Sequence, residues 1–190
     1  MERFNRNGRK GVLHYLTFNI RDRRQVFRSD LYLRAVCQVL RRHCDEHPAK
    51  LVSYVVMPEH MHIVTNPQDG DINLFLSQLK PAITLRVAEI AHEYGHDKLL
   101  SWLYDPYLQR YHLWQDGKYN FHLYSERLIW QKINYIHSNP IARKLVRTAA
   151  DYSYSSFRAM YGIDAEIIIP IDQDFWWEED GLVLDDEEIV

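Results

Sequence analysis

The sequence predicts an α+β fold, a ferredoxin-like antiparallel sheet with helices packed on one face of it, and three observations lead there. Apolar alternation and apolar helical periodicity succeed one another in the order strand, helix, strand, strand, helix, strand, helix. Two of those strands are separated only by Pro58-Glu59, which makes them antiparallel neighbours. The 190 residues, 46% of them apolar, suffice for one core and are too few for two ordinary domains.

Val12–Ile20 alternates as a strand does, and the basic stretch Arg21, Arg23, Arg24 and Arg28 follows it. Ser29 or Asp30 caps a helix to about His47, with Leu31, Leu33, Val36, Val39 and Leu40 as its apolar stripe, and Pro48 closes it. Leu51–Met57 is β-branched and aromatic, and His60–Thr65 reads as its antiparallel partner. Asp71 opens a long helix through Leu74, Phe75, Leu79, Ile83, Val87 and Ile90, with a kink expected at Pro81 and an end near Gly95. Residues 99–123 are aromatic and irregular, with a turn at Asp116-Gly117 and room for a short hairpin or strand. Ser125 caps a helix carrying Leu128, Ile129, Lys132, Ile133 and Ile136, which Asn139-Pro140 stops or kinks. A short capped helix is expected at 151–161, and the apolar groups Ile167–Ile171 and Phe175-Trp176-Trp177 are expected to dock on the body.

The net charge of −3 conceals an asymmetry. Of the 26 acidic residues, 11 follow position 163, where no Lys or Arg occurs; the 23 basic residues therefore share 1–163 with 15 acidic ones. The chain divides by charge into a body, 1–163, and an acidic C-terminal extension, 164–190. A basic body attracts a polyanion, and an acidic extension can screen the same surface or meet a partner. No stretch approaches the ~18 uninterrupted apolar residues of a membrane helix, and no apolar run follows the basic N-terminus, so no membrane partner is expected. Cys37 and Cys44 lie in one helical segment, which argues against a disulfide scaffold and for a reducing cytoplasm.

Three patterns bear on chemistry. His60 and His62 flank Met61 on a strand, so both imidazoles point to one face and can share a metal ion, given further ligands. Tyr135 and Asn139, four apart on a helix, also share a face. A phenol attacks phosphorus when a nearby cation polarises the phosphate, and an amide oxygen can complete the metal site. The third, His92-Glu93-Tyr94-Gly95-His96, matches the zinc-hydrolase pattern HExxH. No third ligand follows at the extended spacing, a distant Glu126 being the remaining choice, and Gly95 caps the helix so as to leave His96 in a loop. Cys37, His43, Cys44 and His47 lie in one helix, where they cannot wrap a single ion tetrahedrally.

YVVMPEHMHIV (54–64) resembles the His-hydrophobic-His signature of the single-tyrosine HUH, or IS200-like, transposases. KINYIHSNPIARKLV (132–146) is similar to the tyrosine helix of the REP-associated tyrosine transposases, and LWQDGKYNFHL (113–123) and DYSYSSFRAMYG (151–162) resemble that branch as well. The resemblance runs from about residue 12 to 162. It implies a metal pair in His60 and His62, a nucleophile in Tyr135 and a further ligand in Asn139, where many insertion-sequence members have Gln. It implies magnesium or manganese as cofactor. The implied activity is cleavage and rejoining of single-stranded DNA beside a short hairpin, through a 5′-phosphotyrosine intermediate, by a monomer or a homodimer. Arg21, Arg23, Arg24, Arg143 and Lys144 are candidate backbone contacts, since Lys and Arg neutralise phosphates. Two rivals stand beside this expectation: a catalytically silent DNA-hairpin binder, and a zinc hydrolase built on His92 and His96.

Overall fold

In the computed structural model, residues 9–10, 12–117, 119–163 and 168–178 are described. The main sheet is built from β1 (Leu13–Asn19), β2 (Ala49–Met57), β3 (His60–Pro67) and β4 (Tyr119–Leu123), in the spatial order β2-β3-β1-β4. Every pairing is antiparallel. Helix α1 (Asp30–Glu46) joins β1 to β2, which leaves a gap that β3 fills. This is the split β-α-β arrangement of the ferredoxin-like fold. All eight residues of β3 are buried, as befits a strand paired on both edges and covered on both faces.

Side-chain alternation divides two cores across the sheet. Leu16, Phe18 and Ile20 join Met61 and Ile63 beneath α1 and the long helix α2 (Ile72–Glu93). Leu13, Tyr15 and Val64 lie on the other face, with Ile129, Ile133 and Ile136 of α4 (Glu126–Ala142). The sequence placed the helices on one face; α4 instead covers the second, because only Tyr124 and Ser125 separate it from β4. That face is the one to which His60 and His62 belong, since Met61 and Ile63 between and after them belong to the first core. A bulge between Leu51 and Ser53 switches the parity of β2, so that Ser53, Val55 and Met57 also face α4.

The helix ends follow local chemistry. Asp71 caps α2, its carboxylate accepting from the backbone N–H groups of Asn73 and Leu74, each at 3.0 Å. The helix passes through Pro81 as a single element. α4 likewise runs through Pro140, past the stop or kink expected at Asn139-Pro140, and ends at Ala142. Pro140 is buried, and Arg143 N–H bonds the Asn139 carbonyl before Lys144 turns left-handed. A helix the sequence did not signal, α3 (Asp97–Leu103), follows Gly95. After it, Tyr104–Asp105 pairs with Arg110–Tyr111 in a small hairpin. The expected helix at 151–161 is shorter, a 3₁₀ turn at Ala149–Asp151 and a single turn at Phe157–Met160.

Residues 168–178 dock as the apolar pattern predicts. Ile169 and Trp176 are buried, and Trp177–Glu178 pairs with Arg9–Lys10. Residues 164–167 and the acidic run 179–190 lie outside the described residues. Among the described residues no helix is long and apolar enough to cross a membrane. Cys37 and Cys44 are both free and buried, and burial pushes both thiols up.

Candidate active site

On the α4 face of the sheet, an open cavity of about 800 Å³ is lined from three directions. β1 contributes Tyr15, Thr17 and Asn19, β3 contributes His60 and His62, and α4 contributes Lys132, Tyr135, Ser138 and Asn139. Arg23 and Arg143 stand at its margin. Strand alternation accounts for the first two sets and helical spacing for the third, because 132, 135 and 139 lie three and four residues apart.

The two imidazoles are in contact, with ring centroids 4.8 Å apart, and both are buried. Each has its Nδ1 engaged. That of His62 meets Thr17 Oγ1 at 2.9 Å and the Tyr15 hydroxyl at 3.0 Å. That of His60 meets Glu59 Oε1 at 3.2 Å. A neutral ring that donates from Nδ1 keeps the lone pair of Nε2 for a ligand. Burial favours that neutral state: it lowers His60, and it drives His62 down to about 3, with His60, Arg23, Lys132 and Arg143 adding to the effect. Asn139, 7% exposed, is hydrogen-bonded to His60 and donates to the Tyr135 carbonyl at 3.4 Å.

Tyr135 differs from its neighbours in being 49% exposed. Its ring is 5.5 Å from that of His62 and 6.3 Å from that of Tyr15. Lys132 Nζ stands 4.7 Å from the Tyr15 ring centroid and 5.9 Å from that of Tyr135. An accessible phenol therefore borders a pair of buried nitrogen donors and three cationic groups.

The donors suit a divalent ion. Two imidazole nitrogens and an amide oxygen converge on a solvent-open cavity, which leaves room for water and phosphate oxygens to complete a shell. The zinc-hydrolase pattern does not assemble. α2 ends at Glu93, Gly95 is left-handed at φ 66°, and His96 caps α3 with its Nδ1 2.7 Å from the Tyr32 hydroxyl. His92 and His96 therefore do not share a helix face. Among the described residues, no three His, Cys, Asp or Glu side chains gather as a metal site.

The sequence-predicted site residues fall into two groups. His60, His62, Tyr135, Asn139, Arg23 and Arg143 line the one cavity. Arg21 and Arg24 instead flank Trp102, at 4.7 and 4.9 Å from its ring, and Arg21 bonds the Trp102 carbonyl. Lys144 is exposed in the turn after α4. Tyr15, Thr17, Glu59 and Lys132 were not anticipated. The signal for Tyr15 and Thr17 was present in the period-two alternation of β1; that for Lys132 was its place three residues before Tyr135.

The model of the family described as "Transposase IS200 like" matches residues 11–139, two thirds of the chain, a span that includes the imidazole pair, the tyrosine and the asparagine. The chain belongs to the IS200-like transposase family. This IS200-like chain is 26% identical over 172 residues to the REP-associated tyrosine transposase of Escherichia coli K12, covering 86% of this chain and 90% of that one. A Haemophilus influenzae protein provisionally named a REP-associated tyrosine transposase is 22% identical over 162 residues, covering 83% and 86%. In fold, this family member is similar to a solved REP-associated tyrosine transposase bound to a REP hairpin. That match has a TM-score of 0.58 at 21% identity and covers 91% of this chain and 93% of the other.

Proposed function

We propose that this family member is a metal-dependent single-stranded DNA endonuclease and strand transferase acting beside short hairpins, with Tyr135 as nucleophile. The observation that carries the proposal is the placement of the exposed Tyr135 phenol against the buried pair His60 and His62, in one cavity with Arg23, Lys132 and Arg143. The hairpin preference and the REP-associated branch rest on the relatives named above and on the family-like segment 132–146.

His60, His62 and Asn139 would hold the ion, magnesium or manganese, which supplies Lewis-acid polarisation of the scissile phosphate. Arg23 and Arg143 bind the phosphate backbone and orient it, while Lys132 sets positive charge between Tyr15 and Tyr135, where the attacking oxygen meets the phosphate. Tyr135 Oη attacks phosphorus in line. The bond to the 3′ oxygen breaks, the phenol proton passes to solvent, and the departing oxygen takes up a proton to become a free 3′-hydroxyl. The 5′-phosphate stays on Tyr135. Attack by a 3′-hydroxyl reverses these steps and rejoins strands, the phosphodiester energy having been kept in the phosphotyrosine bond. The buried, free cysteines suit work in a reducing cytoplasm.

Incubation with a pool of single-stranded hairpin DNAs and manganese or magnesium tests this. A covalent adduct on a denaturing gel is expected, lost in Tyr135→Phe and with chelator. Retention of hairpins without any adduct would select the silent binder instead.

A further inference from the structure

Of thirteen exposed large apolar side chains among the described residues, four fall within eight consecutive positions. They are Tyr104, Tyr107, Leu108 and Tyr111, all on the Tyr104–Tyr111 hairpin, with Tyr107 at its tip 96% exposed. A loop that served only to connect elements would have no reason to display three phenols.

The hairpin is built to hold that display still. Asp105 accepts from the backbone N–H groups of Tyr107 at 2.9 Å and Leu108 at 3.0 Å, which closes the turn. Its other carboxylate oxygen stands 3.9 Å from Arg21 and 3.8 Å from His112. At the base, His112 N–H bonds the Leu103 carbonyl at 2.8 Å. The one acidic side chain of the hairpin is thus committed within it, and the tyrosines are left with cationic surroundings. Arg110 stands between Leu108 and Tyr111, and the exposed Arg24 lies over Trp102. A cleft of about 230 Å³ beside the hairpin is edged by Lys80, Arg110 and Tyr111, with Asp116 the one carboxylate on it, 3.7 Å from His112.

The same short segment that pins the hairpin reaches the active-site cavity. Arg21 holds Asp105 and the Trp102 carbonyl, whereas Arg23, two residues on, lines the cavity of Tyr135. Arg23 at the cavity and Arg24 over Trp102 therefore set cationic side chains beside both the Tyr135 site and the base of the hairpin.

We infer that the Tyr104–Tyr111 hairpin is a stacking platform for unpaired bases of the single strand that enters the Tyr135 cavity. This rests on the function proposed above. Every base offers a π-face, so such a platform grips single strands with little regard to sequence, while a duplex, whose bases are already stacked, gains nothing from it. Phenol rings suit the task because they carry large area at small entropic cost.

The test uses the full chain, a fluorescent oligo(dT) about twenty nucleotides long and a duplex of the same length. Converting both Tyr107 and Tyr111 to Ala is expected to weaken oligo(dT) binding by at least ~30-fold, at roughly fivefold or more per lost stack. Duplex binding and the urea midpoint should stay unchanged, and conversion of both to Phe should preserve affinity, since phenyl rings stack as phenols do. Equal oligo(dT) affinity in wild type and the Ala variant, with the Tyr135 adduct still formed by wild type, overturns the platform and leaves the enzyme standing. So does a loss of self-association in the Ala variant without loss of DNA affinity, which would give the hairpin to a second copy of the chain. A wild type that neither binds oligo(dT) nor forms the adduct overturns both.

Discussion

Thr17 and His62 face each other across adjacent strands at paired register positions, and the hydroxyl of the first lies 2.9 Å from Nδ1 of the second. The contact fixes the rotation of the imidazole and engages Nδ1, which turns Nε2 toward a ligand. Thr17→Val keeps the shape and removes the oxygen, leaving Tyr15 as the single partner at 3.0 Å. Adduct formation at limiting manganese should fall by roughly 10- to 100-fold and recover at high manganese, with little change in the urea midpoint. An unaltered manganese titration would show that the Thr17 contact does not tune the site.

A second polar cluster anchors the tyrosine helix from beneath. His137 Nε2 is 2.8 Å from Ser156 Oγ and 3.4 Å from Ser53 Oγ, and the two hydroxyls are 2.9 Å apart. Ser156 also accepts from the Tyr54 N–H at 3.0 Å, so the cluster ties α4 to β2 and to the segment after residue 151. All three side chains are buried, and burial pushes His137 down to about 4, which keeps it neutral. His137→Ala leaves two buried hydroxyls short of a partner beside a new cavity, a loss of about 2–3 kcal/mol. Because Tyr135 and Asn139 lie two residues to either side, adduct formation should drop even where the variant remains folded. Asn134→Ala, on the exposed side of the same helix, should stay within ~0.5 kcal/mol of wild type. Comparing urea midpoints and adduct yields for the two variants decides this, and equal behaviour would remove any anchoring role for His137.

The legible parts of this fold were those governed by local periodicity. The alternation of Leu13–Asn19 and His60–Pro67 and the helical spacing from Tyr135 to Asn139 told which side chains share a face, and those faces meet in one cavity. Long-range placement was less legible. Nothing local in Arg21 or Arg24 distinguishes them from Arg23, and their capture by Trp102, some 80 residues away, depends on how α3 packs. α3 itself was hidden because it is only seven residues long, between Gly95 and the hairpin strand at Tyr104, too short for a visible period. Pro140 misled about the end of α4 because the loss of one hydrogen bond is offset by burial of the ring, a tertiary effect.

Acid should weaken the fold through His43. Its Nε2 stands 3.1 Å from the Phe75 carbonyl, joining α1 to α2, and burial together with His47 drives it down to about 4. Unfolded, the ring titrates near ~6.5. Below that pH the unfolded chain takes up a proton that the folded chain refuses, so stability declines from about pH 6.5 to about pH 4 and is then level. For this one group the loss is about 3 kcal/mol. His43→Asn lacks the titration. Its stability relative to wild type, read from urea unfolding at pH 7, 5.5 and 4.5, should therefore improve as pH falls. Parallel pH curves for the two proteins would count against the buried neutral ring.

The acidic end of the chain separates into two parts that act differently. Asp172 exchanges backbone hydrogen bonds with the free edge of β2: its N–H donates to the Leu51 carbonyl at 2.8 Å, and its carboxylate accepts from the Leu51 N–H at 2.7 Å and from Arg41 at 3.0 Å. Trp177 donates its indole N–H to the Asn66 carbonyl, and Ile169 and Trp176 are buried. Deleting 164–190 therefore uncovers an edge strand and removes a buried tryptophan, at a cost of roughly 3–5 kcal/mol for the tryptophan alone. Such a deletion cannot test whether the acidic end screens the DNA surface, because it unsettles the body as well. Deleting only 179–190 keeps this strap and removes six carboxylates. If those carboxylates screen the cationic cavity, the shorter deletion should raise single-strand affinity at low salt, with the gain shrinking as salt rises. Equal affinities at every salt concentration would show that the acidic end does not screen the DNA surface.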